Sequence, residues 1–398
     1  MEGERVVSEV VIVSAVRTAI GKYGGSLKDI PSGTLGATVI AEAVRRAGIS
    51  PDLVNEVIMG EVRQTSESSN MARVAALRAG IPETATAFTV NRLCASGMQA
   101  IVSAAQQIAF RQAEIVVAGG AENMSRAPIY LRNARFGEGN PVLVDSNLEN
   151  GQQPNERYGS RLGMGMTAEH VAVKYGIGRE EQDAFALKSQ EKAAAAMRGG
   201  ILREEIVSVE VKQKKQTVFF DTDEFPRTTS MVQLAALKPA FKPDGTVTAG
   251  NACGRNDGAA ALVLMAREKA ERLGVKPMAR IIDWACAGVS PKIMGIGPVP
   301  AVHKLLKRTQ MTLSDFGLVE LNEAFAAQAL AVIRELGLDQ DRVNVNGGAI
   351  ALGHPLGATG ARIVTTLLHE MMRRGESLGL AALCVGGGQG MAVAMELL

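Results

Sequence analysis

The second half of the chain repeats the pattern of the first, and this repeat constrains the fold more than any other feature of the sequence. Residues 315–321, Asp-Phe-Gly-Leu-Val-Glu-Leu, echo residues 52–58, Asp-Leu-Val-Asn-Glu-Val-Ile. Residues 380–388 echo residues 115–120, because both are apolar runs that end in glycines. Self-similarity of this kind indicates two copies of one structural unit. We therefore expect two similar halves that face each other across a shared cleft.

Each half alternates short apolar runs with amphipathic segments, which indicates a layered α/β fold. The apolar runs predict strands, and apolar residues at helical spacing predict helices. The strands are predicted at residues 10–15, 54–59, 115–118 and 258–265, and the helices at residues 35–48 and 70–79. Residues 87–90 are interpreted as a short buried strand, and Gly119-Gly120 as a turn that follows a strand.

Residues 121–250 have a different texture, with many prolines, glycines and arginines. Helices are predicted over residues 167–175 and 179–198, and the alternating valines at 207, 209 and 211 predict an exposed hairpin strand. This segment is either a solvated insertion or a lid that supplies a local basic patch. We favour the lid, because long insertions in compact domains tend to be functional. The predicted domains are residues 1–120 and 251–275 for the first half, 121–250 for the insertion and 276–398 for the second half.

Composition excludes several classes of function. The 43 basic residues nearly balance the 41 acidic ones, so no strong field attracts nucleic acid or an anionic membrane surface. No apolar run is long enough to cross a bilayer, and the first residues lack the apolar region of a signal peptide. Four cysteines without a CxxC pair do not make a disulfide framework, and four scattered histidines do not predict a metal site. We expect a cytoplasmic protein.

Cys94 is the first candidate catalytic residue. It lies between the strand predicted at residues 87–90 and a helix marked by Met98, Ile101 and Ala105. A helix N-terminus stabilises a thiolate, so this position predicts a lowered pKa and a nucleophilic cysteine. The alternative is a small buried hydrophobic residue, which is the role of most cysteines.

Three later stretches add polar groups at the ends of predicted strands and turns. Asn322 follows a strand, His354 lies in a glycine-lined turn before a helix, and Cys384 precedes three glycines. His354 lies 39 residues after Asp315, and Cys94 lies 42 residues after Asp52, so the two hold corresponding places in the two halves. Each residue alone is compatible with a structural role. Together they favour an active site in the shared cleft.

These stretches resemble the signature motifs of the thiolases. The motifs are Cys94-Ala95-Ser96-Gly97, Asn322-Glu323-Ala324-Phe325, Gly353-His354-Pro355 and Cys384-Val385-Gly386-Gly387-Gly388, with further similarity at residues 246–252, 294–300 and 346–348. The resemblance implies two βαβαβαββ halves in a five-layered α-β-α-β-α core, with a loop domain inserted in the first half. It also implies exchange of acetyl groups between coenzyme A thioesters, with no metal and no bound cofactor.

The resemblance assigns a role to each candidate. Cys94 attacks an acyl-CoA carbonyl, His354 accepts its proton, and Cys384 removes the α-proton of a second acetyl-CoA. The backbone N–H groups of Cys94 and Gly386 form one oxyanion hole, and His354 with a water held by Asn322 forms the other. The expected contacts to coenzyme A are Met164, Arg227, Leu237, Phe241, Ala249, Met294 and Phe325.

Two positions depart from the family pattern. Gly163 stands where many short-chain members carry histidine, and Cys253 stands where the family usually has a serine that touches the pantetheine arm. The favoured activity is that of an acetyl-CoA acetyltransferase, which makes acetoacetyl-CoA from two acetyl-CoA molecules, in a homo-oligomer that is a dimer of dimers.

Three alternatives remain. A 3-ketoacyl-CoA thiolase would act on longer chains. A decarboxylating ketoacyl synthase pairs its cysteine with two histidines, whereas the second position here is Cys384. A non-catalytic acyl-CoA or lipid carrier would have lost Cys94, His354 or Cys384, and all three are present.

Overall fold

The computed structural model of the protein describes residues 8–137, 139–213 and 216–398. Its strands are β1 Val10–Thr18, β2 Gly21–Lys22, β3 Glu56–Gly60, β4 Thr86–Val90, β5 Ile115–Asn123, β6 Ile129–Arg132, β7 Val142–Asp145, β8 Ile206–Val207, β9 Val209–Gln213, β10 Gln216–Phe220, β11 Asn256–Ala266, β12 Ala279–Gly288, β13 Leu318–Leu321, β14 Leu378–Val385 and β15 Gln389–Leu397. Its α-helices are α1 Ser32–Ala47, α2 Met71–Arg78, α3 Ser96–Ala109, α4 Asn155–Tyr158, α5 Met164–Tyr175, α6 Arg179–Arg198, α7 Met231–Ala235, α8 Arg267–Leu273, α9 Pro298–Thr309, α10 Ala326–Leu336, α11 Ala349–Leu352 and α12 Leu356–Arg374.

The two halves have the same strand order. The first half runs β4-β3-β5-β11-β1, and the second runs β13-β14-β15-β12. Val343, which forms a parallel bridge to Val319 beside β13, takes the place that β4 has in the first half. The strand directions also correspond, because β3–β5 and β13–β14 are parallel while β5–β11 and β14–β15 are antiparallel. The predicted repeat is therefore confirmed.

The side chains of each sheet alternate between two cores, which produces the layers. Val116 and Ala118 of β5 face a central core with α3 and α12, whereas Ile115 and Val117 face an outer core with α1 and α2. In the second half, Leu383 faces the same central core and Leu380 faces an outer core with α9 and α10. The result is five layers, with α3 and α12 between the two sheets.

Two local predictions in the first half are wrong. Residues 87–90 lie in β4, an edge strand whose Phe88 is 37% exposed, rather than in a buried strand. Gly119 and Gly120 do not form a turn but continue β5 to Asn123. A Cβ on Gly120 would lie only 2.0 Å from the carbonyl oxygen of Gly357. Glycine is therefore needed here because the start of α12 packs directly on this strand.

The segment between β5 and β11 packs against the first half at several points. Its strand β8 pairs with β1, and Val209 and Val211 of the β9–β10 hairpin are buried against the outer core. The prediction of an exposed hairpin strand is therefore wrong, because one face of β9 packs against the outer core. Fully buried Arg17 of β1 also holds this segment, through ion pairs of 2.6 Å to Glu205 and 2.7 Å to Asp223.

Candidate active site

Cys94 lies in a tight turn between β4 and α3. Leu93, just before it, has a φ of +46°, a left-handed conformation that costs energy for a residue with a branched side chain. The hydroxyl of Ser96 donates to the carbonyl of Leu93 at 2.6 Å and accepts from the N–H of Arg92 at 2.9 Å. The N–H of Leu93 donates to Asn91 at 2.9 Å. These bonds hold the strained turn at the start of α3.

His354 has the corresponding position before α12, and two residues fix its orientation. Its backbone N–H donates to Oδ1 of Asn256 at 2.9 Å. Its Nδ1 lies 2.7 Å from Oγ1 of Thr359, and that hydroxyl donates to the carbonyl of Pro355 at 2.9 Å. Because the hydroxyl hydrogen is used in the second bond, Nδ1 is assigned as the donor in the first. Nε2 is then the nitrogen with a free lone pair for proton transfer.

Helices α3 and α12 pack closely enough to bring these two turns together. A Cβ on Gly97 would lie 2.8 Å from the backbone nitrogen of Ala361 and 2.9 Å from the carbonyl oxygen of Gly357. Gly97 is therefore required for the close contact between the two helices. Cys94 and His354 consequently lie at the same end of the central layer.

The glycine turn after β14 completes this end of the layer. Cys384 lies near the end of β14, and the backbone N–H of Gly386 lies within hydrogen-bond reach of the Cys94 thiol. A Cβ on Gly386 would lie 3.2 Å from Leu93 and 3.4 Å from the sulfur of Met164. A side chain at Gly386 would therefore have to displace the side chains of Leu93 and Met164 beside the nucleophile turn.

Burial controls the ionisation of the thiols. It raises the pKa of Cys94, although the N–H groups of Gly386 and Cys94 itself act in the opposite direction. The expectation of a lowered pKa at the helix start is therefore wrong, because removal from water outweighs the N–H donors. Burial and the neighbouring thiols also raise the pKa of Cys253 to about 12 and place that of Cys384 well above its usual range.

Burial keeps His354 in its neutral form. Burial, with a smaller effect from the positive charge of Arg362, lowers its pKa to about 3. The imidazole is neutral at physiological pH and can accept a proton from a thiol that stays protonated by itself. A buried neutral base next to a protonated thiol can take the thiol proton as the sulfur attacks the substrate.

Asn322 lies at the end of β13, as expected. Its backbone N–H donates to the carbonyl of Ala382 at 2.9 Å. Both polar atoms of its side chain are buried, and neither has a protein partner among the described residues. Buried amides normally have partners, so this amide is suited to hold a water or a polar substrate atom.

Most of the predicted coenzyme A contacts lie beside the cysteines. Met164, Met294 and Phe325 pack with Ala252 and Cys384 in one apolar cluster. Phe241 contacts Phe325 edge to face, with ring centroids 6.2 Å apart. The remaining predicted contacts are further out, where Arg227 donates to the carbonyl of Ala249 at 3.2 Å and Leu237 packs on Gly250.

Comparison with known proteins decides the family. Residues 10–268 match the family described as "Thiolase, N-terminal domain", and residues 275–397 match "Thiolase, C-terminal domain". The chain belongs to the thiolase family. It is 54% identical to an acetyl-CoA acetyltransferase of Chromobacterium violaceum, over 98% of this chain and 99% of that protein. It is 53% identical to an acetyl-CoA acetyltransferase of Escherichia coli, with the same coverage.

Solved structures of thiolases confirm the fold. The crystal structure of the Bacillus anthracis acetyl-CoA acetyltransferase superposes with a TM-score of 0.96 at 48% identity, covering 99% of this chain and 100% of that one. Human mitochondrial 3-ketoacyl-CoA thiolase in complex with CoA gives a TM-score of 0.93 at 44% identity, covering 99% of both chains.

The two departures from the thiolase pattern lie in different surroundings. A Cβ on Gly163 would lie 3.0 Å from Oδ1 of Asn150, so the place of the family histidine is partly filled by that side chain. Cys253 is held by its backbone N–H, which donates to the carbonyl of Ala324 at 3.0 Å. Its thiol is close enough to Cys94 for that residue to help raise the pKa of Cys253. It is thus a third thiol in the site of this thiolase.

Sequence reasoning missed two residues of the site. Thr359 and Asn256 both hold His354, but neither belongs to a motif that predicts the contact. Asn256 is 98 residues away along the chain, so only the pairing of β11 within the sheet brings it near. The local signal for Thr359 was its position five residues after His354, near the start of the helix that was predicted to follow it.

Proposed function

We propose that the protein is an acetyl-CoA C-acetyltransferase, which condenses two acetyl-CoA molecules to acetoacetyl-CoA and free coenzyme A, and catalyses the reverse thiolysis. The observation that carries the proposal is that the turns of Cys94 and His354 lie at the same end of the central layer, where the starts of α3 and α12 pack together. The buried thiol of Cys384 is close enough to Cys94 for that thiol to help raise its pKa. The names of the relatives that are 50–54% identical support the choice of acetyl groups.

The first half of the reaction transfers an acetyl group to Cys94. Nε2 of His354 takes the thiol proton as sulfur attacks the thioester carbonyl, and the N–H groups of Cys94 and Gly386 stabilise the oxyanion. The leaving coenzyme A thiolate receives the proton of Cys384. This step leaves an acetyl-cysteine, a protonated His354 and a Cys384 thiolate.

The second half makes the carbon–carbon bond. The Cys384 thiolate removes the α-proton of the second acetyl-CoA, and its raised pKa makes it a strong base for this purpose. Protonated His354, with a water held by Asn322, stabilises the enolate oxygen. The enolate carbon attacks the acetyl group on Cys94, and His354 returns its proton to the released sulfur, so all three groups recover their starting states.

Thiolysis rates with 3-ketoacyl-CoA substrates of graded chain length test the proposal. We expect the highest kcat/KM for acetoacetyl-CoA. Uniformly higher values for longer chains would instead support a 3-ketoacyl-CoA thiolase, and absence of turnover with every substrate would support a non-catalytic carrier. Each extra methylene contributes about 0.8 kcal/mol when buried, so two are enough to change the preference about tenfold.

The same proposal includes a homo-oligomer. The β6–β7 hairpin exposes Ile129 at 66%, Leu143 at 71% and nearby Phe136 at 80%. An apolar hairpin of this kind is typical of a surface that another subunit covers. We also place the enzyme in the reducing cytoplasm, because the mechanism requires the cysteines to stay as free thiols, which is how the described chain holds all four.

Within the described chain, no group of three or more His, Cys, Asp or Glu side chains is arranged to hold a metal ion. None of the helices described is both long enough and apolar enough to cross a membrane.

A further inference from the structure

Glu122 is a buried carboxylate close to the active site, and the mechanism above does not use it. It lies at the end of β5 and is 0% exposed. Its Oε2 accepts from the N–H of Gly357 at 2.8 Å and of Val62 at 3.0 Å, and its Oε1 accepts from the N–H of Arg63 at 2.9 Å. One side chain thus ties the central sheet to the first turn of α12.

The start of α12 packs tightly against the sheet. The carbonyl of Gly357 lies on Gly120 of β5, and a Cβ on Gly357 would be 2.8 Å from the carbonyl oxygen of Gly60 and 2.9 Å from Oε2 of Glu122. The carboxylate also meets the positive end of the α12 dipole. The helix start is therefore both packed and electrostatically held at this point.

His354 lies three residues before Gly357, on the same helix start. We infer that Glu122 is a positioning residue, which holds the N-terminus of α12 so that His354 reaches the Cys94 thiol. The inference rests on the proposed function, because it says that Glu122 sets the distance between the Cys94 thiol and the His354 imidazole. It assigns no contact between Glu122 and the substrate.

The charge of Glu122 argues against a purely electrostatic role. Its negative charge raises the pKa of Cys94, which by itself makes the nucleophile harder to ionise. The charge of Glu122 therefore does not assist the nucleophile. The role that we assign to this carboxylate is structural, through its three hydrogen bonds to backbone N–H groups. Positioning and charge therefore predict opposite effects when the carboxylate is removed.

The next residue provides a matched control. Asn123 is also buried at the end of β5, and its side chain binds four backbone groups. Nδ2 donates to the carbonyls of Leu27 at 2.9 Å, Ile30 at 2.7 Å and Lys28 at 3.5 Å, and Oδ1 accepts from the N–H of Arg126 at 2.9 Å. None of these groups belongs to α12. Glu122→Ala and Asn123→Ala thus remove comparable networks, of which only one holds the helix of His354.

The test compares steady-state thiolysis of acetoacetyl-CoA, thermal unfolding and the rate of Cys94 alkylation by iodoacetamide in wild type, Glu122→Ala, Glu122→Gln and Asn123→Ala. We expect Glu122→Ala to lower kcat about tenfold to a hundredfold with KM for coenzyme A nearly unchanged, because small misplacements of catalytic groups cost that much. Asn123→Ala should lower Tm but keep kcat. Glu122→Gln, which retains one acceptor oxygen, should recover part of the loss.

Alkylation of Cys94 needs no acyl-CoA substrate, so its rate tests the positioning role of Glu122 separately from the proposed function. Slower alkylation of Cys94 in Glu122→Ala and Glu122→Gln supports positioning, whereas faster alkylation with unchanged kcat overturns it in favour of charge alone. An equal loss of kcat in Asn123→Ala also overturns it. If Glu122→Ala does not fold, Glu122→Gln decides by the same criteria. A wild type without thiolysis but with slower alkylation in the variants would refute the proposed function and leave the positioning role standing.

Discussion

Nδ1 of His354 lies 2.7 Å from Oγ1 of Thr359, five residues further along the chain and within the first turns of α12. This contact fixes which nitrogen of the imidazole carries the proton, and therefore which nitrogen can accept one. The hydroxyl of Thr359 and the carbonyl of Pro355 thus set the tautomer of His354 before substrate binds.

Thr359→Val should lower kcat about tenfold or more, because it leaves a buried N–H without an acceptor, which costs about 1–3 kcal/mol. Valine has almost the same shape, so packing is preserved. The kcat of thiolysis, measured across pH, checks the result. Thr359→Ser keeps the hydroxyl and should behave like wild type. Equal activity of the two variants would show that the tautomer of His354 is held in another way.

Cys384→Ala should separate the two halves of the reaction. The variant should still accept an acetyl group on Cys94, because His354 takes the thiol proton and can pass it to the leaving coenzyme A thiolate in place of Cys384. It should fail to condense and fail to exchange the α-hydrogen of acetyl-CoA with solvent deuterium, as measured by mass spectrometry. Condensation at a near-normal rate in Cys384→Ala would mean that another group is the base.

Arg227→Ala should raise KM for coenzyme A more than it lowers kcat. The guanidinium donates to the carbonyl of Ala249 and lies 5.1 Å from the ring of Phe225. It takes no part in the proposed proton transfers, so we expect it to contribute to uniform binding. Arg227→Lys, which keeps the charge, is the matched variant. A fall in kcat alone would place Arg227 in the reacting part of the site.

Glu61 predicts a pH-dependent difference in stability. Burial, with a contribution from the negative charge of Glu122, raises its pKa to about 7, although its carboxyl also accepts from the hydroxyl of Ser32. The folded state therefore binds a proton that the unfolded state loses at about pH 4.3. The stability that this proton contributes is lost as the pH rises through about 7.

Glu61→Gln removes this titration, so its free energy of unfolding should rise relative to wild type between pH 5 and pH 8, with a slope of at most about 1.4 kcal/mol per pH unit. Urea unfolding at both pH values measures the difference. A difference that stays constant, or that grows in favour of wild type at pH 8, would show that the carboxyl of Glu61 ionises in the folded protein as it does in water.

Local patterns predicted the elements of the fold well where one segment determines its own structure. Helix α6 has the predicted bounds, Arg179–Arg198, because acidic residues in its first turn and glycines after its end both mark its limits. The repeat placed Cys94 and His354 correctly before α3 and α12, since corresponding segments fold in the same way.

What the sequence did not predict depends on contacts between distant segments. The valines of β9 are buried because the hairpin packs against the outer core. Gly120 can lie within a strand that the start of α12 contacts directly, because it has no Cβ. The pKa of Cys94 is raised by burial, which depends on the packing of distant segments and which no local pattern reveals. Asn256 and Glu122 hold α12 and His354 from positions far away in the chain.

The central claim is that Cys94 forms the covalent intermediate, and trapping that intermediate tests it most directly. The protein is incubated with acetyl-CoA alone, quenched in acid and digested, and the peptides are mapped by mass. We predict one acetyl group per chain, on the peptide that contains Cys94, and none on the peptide of Cys286, which lies in β12. Cys94→Ser should lose the thioester label. An acetyl group on Cys253 or Cys384, with Cys94 unmodified, would contradict the account.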